Sequence, residues 1–132
     1  MKPIKESKID TSKVYEDMII VKLTDASGKT TEVKGTVFAN IPRLVGINGY
    51  TFEMPLQSDI FVARYKDQPG VIGAVGKALG DNKVNIGQMM VSRNEPNGTA
   101  IMILTVDHEI TDDVSKKVIA AVGFEKAKFI AL

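Results

Sequence analysis

The sequence contains no cysteine and a single histidine, His108. Without thiols the chain has no disulfide, iron–sulfur cluster or cysteine nucleophile, and one histidine excludes the usual zinc-ligand spacings. No serine pattern accompanies His108 that would indicate a catalytic triad, so we interpret it as an ordinary exposed side chain. We therefore expect a chain that is itself non-catalytic and has no metal site.

Excess charge of one sign and long apolar runs are also lacking. Seventeen Lys and Arg against sixteen Asp and Glu leave a net charge of +1, which argues against nucleic acid as a partner because phosphate binding draws on a surplus of cations. No apolar run approaches the roughly eighteen residues of a membrane helix, and the N-terminus does not resemble an export signal. We expect a cytoplasmic protein with no membrane partner.

The composition that is present, 44% hydrophobic and 25% charged over 132 residues, is typical of a globular protein with one ordinary domain or two very small ones. The opening MKPIKESKIDTS is polar and unpatterned, so we interpret it as a tail or the cut end of something larger. Apolar, β-branched runs after Asp17 predict two hairpins, which turn at Gly28 and at Asn48-Gly49. Pro55 then breaks the strand pattern. Residues 1–57 are therefore predicted to be rich in β-hairpins.

Residues 58–132 predict a different architecture, β-α-β-β-α-β. The predicted elements are a strand Ile60–Tyr65, a helix Val71–Leu79 capped by Gly80, antiparallel strands Val84–Ser92 and Thr99–Val106, a helix from Thr111 to Gly123, and a strand Ala127–Ala131. This order is typical of a ferredoxin-like α+β domain with a four-stranded antiparallel sheet. One sheet face or edge would stay open, so we expect a homodimer.

The glycines of VIGAVGKALG invite comparison with a phosphate-binding loop, but their spacing rejects it. Gly70 lies one residue too far from the Gly76-Lys77 pair, and Ala78 follows where Ser or Thr is required. We predict instead that Gly73 and Gly76 let the helix backbone approach a sheet or a second copy of the domain.

Two polar residues remain open to either of two interpretations. Asp67 precedes a helix, where its carboxylate either caps free N–H groups or faces a ligand's ammonium group while the helix N-terminus receives a carboxylate. Asn85 either tolerates an unusual backbone angle or contributes an amide to the same ligand. Met89 and Met90 are interpreted as core and interface packing. Arg43 and Arg93 either meet an anion or are solvated side chains, and we favour the second interpretation because isolated arginines are usually solvated.

The run DIFVARYKDQPGVIGAVGKALGDNKVNIGQMMVSR, with EPNGTAIMILTVD after it, resembles the ACT domain family of small amino-acid-binding regulatory modules. The resemblance rests on a strand, a D-x-P-G-V junction, a helix and a VNI strand in that order. It implies an ACT domain over residues 58–132 and an effector site at five positions. By this resemblance the site residues are Tyr65, Asp67 and Asn85, with backbone contact from Val71 and Ile72.

The preceding KGTVFAN and PRLVGINGYTFEMPL resemble the end of the intervening domain in the family of long-form D-3-phosphoglycerate dehydrogenases. Gly46 stands where that family commonly has a basic residue, which argues against an anion site there. The resemblance implies a regulatory fragment that senses L-serine in serine biosynthesis, with NAD bound only by the catalytic domains of the parent enzyme. Iron–sulfur L-serine dehydratases carry the same domain pair, and an ACT module that assembles without a ligand is a third alternative.

Overall fold

The computed structural model describes residues 5–7 and 17–132. The chain divides into two compact units, Met1–Leu56 and Gln57–Leu132. None of the helices in the described ranges is both long enough and apolar enough to cross a membrane.

In its described residues, the first unit is a five-stranded antiparallel sheet in chain order. Its strands are β1 (Lys5–Ser7), β2 (Met18–Thr24), β3 (Thr30–Phe38), β4 (Ile41–Ile47) and β5 (Tyr50–Pro55). The turn between β2 and β3 is held by Asp25, whose Oδ1 accepts hydrogen bonds from the Ser27 and Lys29 N–H groups at 2.8 and 3.1 Å. Asn48 and Gly49 both have positive φ angles, 48° and 84°, and join β4 to β5. Both predicted hairpins are present.

Part of the segment predicted to be a tail is instead a strand. Lys5–Ser7 forms β1 and pairs with β2 in antiparallel register. An edge strand is held by backbone hydrogen bonds along one side and needs no alternating apolar residues, so its polar sequence carries no strand signal. The rest of the predicted tail, residues 1–4 and 8–12, lies outside the described residues.

The second unit confirms the ferredoxin-like prediction. Its elements are β6 (Ile60–Lys66), α1 (Val71–Asp81), β7 (Ile86–Arg93), β8 (Thr99–Val106), α2 (Asp112–Val122) and β9 (Lys126–Ile130). The strands form an antiparallel sheet in the order β7-β8-β6-β9. Alternate residues of β6 and β8 share one core with both helices, so the helices cover one face of the sheet. The largest fully buried members of that core are Phe61, Leu79, Met102, Leu104, Val75, Val106 and Val118.

The end of α1 differs from the prediction. Gly80 lies inside the helix, and the C-cap is Asn82, whose Nδ2 donates to the Ala78 carbonyl at 2.8 Å. The left-handed residue that ends the helix is Lys83, with φ 60°, and the next residue, Val84, donates its N–H to the Leu79 carbonyl. This pattern closes the helix as a glycine does, so Gly80 was the wrong position for the cap.

The predicted close approach at Gly73 and Gly76 does not occur among the described residues. A methyl group added to either glycine would meet no described atom within 4 Å apart from the neighbouring backbone of its own helix, and Gly73 is exposed. The apolar side chains of α1 that enter the core lie at other positions, such as Val75 and Leu79. The prediction that these glycines pack against the sheet is therefore wrong, and the alternative that they pack against a second copy stays a prediction.

Candidate functional site

An open cavity of about 470 Å³ lies in the second unit where β6 leads into α1. It is formed by the end of β6, the following loop, the first turn of α1 and the end of β7 with the turn after it. Its lining residues are Tyr65, Asp67, Gln68, Pro69, Gly70, Ile72, Val91, Arg93 and Asn97. The volume falls within the roughly 300–1,000 Å³ of small-molecule sites.

The N-terminus of α1 opens beside this cavity because of the local sequence. Pro69 has no N–H, and Gly70 takes a left-handed φ of 91°, which turns the chain sharply from the loop into the helix. The first intrahelical bond runs from the Ala74 N–H to the Gly70 carbonyl at 2.9 Å. No side chain of the described residues caps α1, so the helix leaves early N–H groups for another acceptor.

Asp67 and Arg93 form an ion pair at the cavity, with 3.0 Å between Arg93 Nη1 and Asp67 Oδ2. The two side chains differ in exposure, since that of Asp67 is 18% exposed and that of Arg93 is 59% exposed. Strand register brings them together, because Tyr65 of β6 and Arg93 of β7 both lie opposite Ala100 of β8. The Asp67 N–H also donates to the Gly98 carbonyl at 2.8 Å, which ties the loop after β6 to the turn after β7.

Tyr65 is a buried residue of the cavity wall. Burial raises the pKa of its phenol above the usual range, and the neighbouring Asp67 carboxylate raises that pKa further, while Arg93 opposes the change. The ring packs edge-on against Phe124, with 6.3 Å between ring centroids. Tyr65 therefore presents a neutral phenol to the cavity at neutral pH.

Three of the five predicted site residues line the cavity: Tyr65, Asp67 and Ile72. The side chain of Val71 is buried in the core beneath it, so its position allows a backbone contact only. Asp67 does not cap α1, which leaves its interpretation as a ligand contact standing.

Asn85 does not reach this cavity within the chain. It precedes β7, whereas Arg93 ends that strand of 8 residues. A strand rises about 3.3 Å per residue, so roughly 25 Å separates the two positions. Its Nδ2 donates instead to Asp107 Oδ2 at 2.7 Å. A contact from Asn85 to a ligand in this cavity requires the Asn85 of another copy.

Arg93 is the charged cavity residue that the predicted site lacks, because an isolated arginine is usually solvated and that interpretation was favoured over an anion contact. The available signal was its place at the end of β7, directly before the Asn97-Gly98 turn and level with the end of β6. Arg43, interpreted in the same way, pairs with Glu53 at 2.9 Å and lies over the Phe38 ring. Within the described residues, no group of acidic and histidine side chains is arranged to hold a metal ion.

Comparison with known proteins agrees with the fold of the second unit. Residues 58–123 match the family model of the ACT domain. D-3-phosphoglycerate dehydrogenase from Archaeoglobus fulgidus is 32% identical over 131 residues, which is 98% of this chain and 25% of that protein. The enzyme of the same name from Bacillus subtilis is 35% identical over 119 residues, or 89% of this chain and 22% of that protein.

A third relative, D-3-phosphoglycerate dehydrogenase from Methanocaldococcus jannaschii, is 32% identical over 99 residues, which is 74% of this chain and 19% of that protein. The chain thus spans a quarter or less of the length of these curated relatives. The matches confirm the resemblances to the ACT domain and to D-3-phosphoglycerate dehydrogenases.

Proposed function

The chain belongs to the ACT domain family, and from that premise we propose that it is the L-serine-sensing regulatory part of a D-3-phosphoglycerate dehydrogenase. In this role it mediates feedback control of serine biosynthesis. Residues 58–132 are the sensing domain, and residues 1–57 are the end of the intervening domain. The named relatives favour this parent enzyme over an iron–sulfur L-serine dehydratase.

The observation that carries the proposal is the cavity at the start of α1, which offers groups for both charges of an amino acid. The mostly buried Asp67 carboxylate provides an acceptor for an ammonium group, and its Oδ1 is the oxygen not joined to Arg93 Nη1. The first N–H groups of α1 provide donors for a carboxylate, aided by the helix dipole. Tyr65 borders the same space, and its phenol can donate a hydrogen bond to a serine hydroxyl or accept one from it.

The sensing domain acts as a dimer in this proposal. Asn85 of a second copy supplies the amide that the cavity lacks within one chain, so that the ligand joins two subunits. Strand β7 is an edge of the sheet and exposes Val91, which leaves a strand edge for pairing with another copy. Light scattering that shows a monomer at high micromolar concentration would contradict this part.

The catalytic reaction and NAD belong to other domains of the parent enzyme in this proposal. The described residues do not fit a dinucleotide, because that site needs its glycines in the turn between a strand and a helix. Here Gly70 is in that turn, but the other glycines of the run, Gly73, Gly76 and Gly80, all lie inside α1. The chain's own contribution is ligand binding and assembly.

Calorimetric titration of the full chain with L-serine and glycine tests the proposal. Asp67→Ala and Asn85→Ala should each weaken L-serine binding by about tenfold or more, because each removes one hydrogen bond to a charged or polar ligand group. Asp81→Ala is the matched control, since this exposed carboxylate pairs with Lys77 at 2.6 Å away from the cavity lining. Unchanged affinity in both site variants would place the site elsewhere.

An assembly module without a ligand is the competing function, and the same samples distinguish it. The observation that favours this alternative is the edge strand β7, which can pair with another copy without any ligand. In that case no amino acid would produce heat in the titration or raise the melting temperature, while the dimer would persist in light scattering.

A further inference from the structure

Among the described residues that line the cavity, Arg93 is the only cation and Asp67 the only anion. We propose that Arg93 determines the specificity of the cavity by receiving the carboxylate of the ligand while Asp67 receives the ammonium group. The site then selects ligands that carry both charges on one small molecule. This inference rests on the proposed amino-acid binding and adds a residue that the family resemblance did not indicate.

The geometry of the ion pair leaves Arg93 able to exchange Asp67 for the carboxylate of a ligand. Its bond to Asp67 uses Nη1 at 3.0 Å, whereas a guanidinium has five N–H donors in a planar fork that matches a carboxylate. The side chain is 59% exposed, so it can turn toward a ligand without leaving a buried position. A ligand carboxylate has two oxygens, of which one can face the α1 N-terminus and the other Arg93.

The position of Asp67 does not depend on Arg93 alone. The Asp67 N–H donates to the Gly98 carbonyl at 2.8 Å, and Pro69 and Gly70 constrain the loop that follows. Removal of the Arg93 side chain should therefore leave the Asp67 carboxylate in place. It should also leave that carboxylate without its present cation, which favours any ligand with an ammonium group.

These two features predict opposite effects on two ligands that differ only in charge. L-serine carries an ammonium group and a carboxylate, whereas L-serinamide carries the ammonium group and a neutral amide. L-serine exchanges one internal ion pair for two pairs with the protein, but L-serinamide competes with Arg93 for Asp67 and gives Arg93 no anion in return. Arg93 thus favours the first ligand and disfavours the second.

The experiment is calorimetric titration of the full chain and its Arg93→Ala variant with both ligands. We expect Arg93→Ala to weaken L-serine binding by about tenfold or more, as for the loss of a charge-assisted contact, and to leave L-serinamide binding unchanged or tighter. Arg93→Lys should retain part of the L-serine affinity because it keeps the charge but loses the planar fork. Arg64→Ala is the matched control, an arginine of the same sheet that pairs with Glu125 at 3.2 Å outside the cavity lining.

Two results would overturn the assignment. Unchanged L-serine affinity in Arg93→Ala would show that Arg93 does not contact the ligand. An equal loss for both ligands would show that Arg93 only positions Asp67. A wild-type chain that binds neither ligand would instead refute the amino-acid site itself, and with it this inference. Failure of the proposed function is therefore distinguishable from failure of the assignment of Arg93.

Discussion

Alanine substitution of the α1 glycines should stabilise the protein. Gly73 and Gly76 lie within the helix, and a methyl group on either meets no described atom within 4 Å. A glycine in a helix interior lowers the free energy of unfolding by about 1 kcal/mol relative to an alanine, because glycine loses more backbone conformational freedom on folding. Gly73→Ala and Gly76→Ala should therefore each raise the free energy of unfolding by about 1 kcal/mol.

Urea unfolding followed by far-UV circular dichroism measures this gain at low micromolar protein. Thermal unfolding should show a rise in melting temperature of about 4 °C for each substitution. Gly87→Ala is the control in which space is lacking, since its added methyl carbon would lie 2.8 Å from Thr105 Oγ1, which already accepts a hydrogen bond from the Gln88 N–H. That variant should lose about 1–3 kcal/mol by overpacking.

A loss of stability in Gly73→Ala or Gly76→Ala would refute the reasoning from open space. If that loss grew with protein concentration, and light scattering showed less dimer, the glycines would pack against a second copy after all. The concentration series thus separates a free helix face from one that another subunit covers.

Two further predictions follow from the described residues. Lys83 and Gly123 both follow helices and have left-handed φ angles, 60° and 69°, which favour glycine. In urea unfolding, Lys83→Gly should therefore raise the free energy of unfolding by about 1 kcal/mol, and Gly123→Ala should lower it by about the same amount. A change of the same sign in both variants would contradict this. The pKa of Tyr65 is raised in the folded protein, so its neutral phenol contributes to stability. That contribution should be fully present below the pKa of the unfolded state, about 10, and should be lost as the pH rises through the folded pKa. Tyr65→Phe should remove that component of the alkaline loss, and an identical pH profile in urea unfolding would refute it.

Much of the fold was predictable because its signals are local. Asn48-Gly49 specifies a two-residue hairpin by the φ angles that these residues adopt, and the second helix begins at Thr111, whose Oγ1 accepts from the Val114 N–H, and ends at Gly123. These residues act on their own neighbours, so no knowledge of the sheet is needed. The end of α1 differs from the prediction because Asn82 and Lys83 perform the capping role that glycine most often has, while Gly80 continues the helix.

The candidate site was less predictable because it depends on register between strands that are far apart in sequence. Asp67 and Arg93 meet only because β6 and β7 flank β8 in the register that places Tyr65 and Arg93 opposite Ala100. A shift by one residue would move Arg93 to the other face of the sheet. The Asn85–Asp107 contact likewise joins two strand ends that the chain separates. Side-chain identity alone specified neither pair.

The Asp67–Arg93 pair also bears on how the proposed ligand binding would be communicated. It joins the loop before α1 to the end of β7, and the bond from the Asp67 N–H to the Gly98 carbonyl joins the same loop to the following turn. A zwitterion that replaces the ion pair leaves the backbone contact in place but transfers Arg93 from the loop to the ligand. The ligand can shift a conformational equilibrium only by its differential affinity for the two states. Under the proposed binding mode, the states that the ligand separates differ in the position of Arg93 or of the second copy's Asn85.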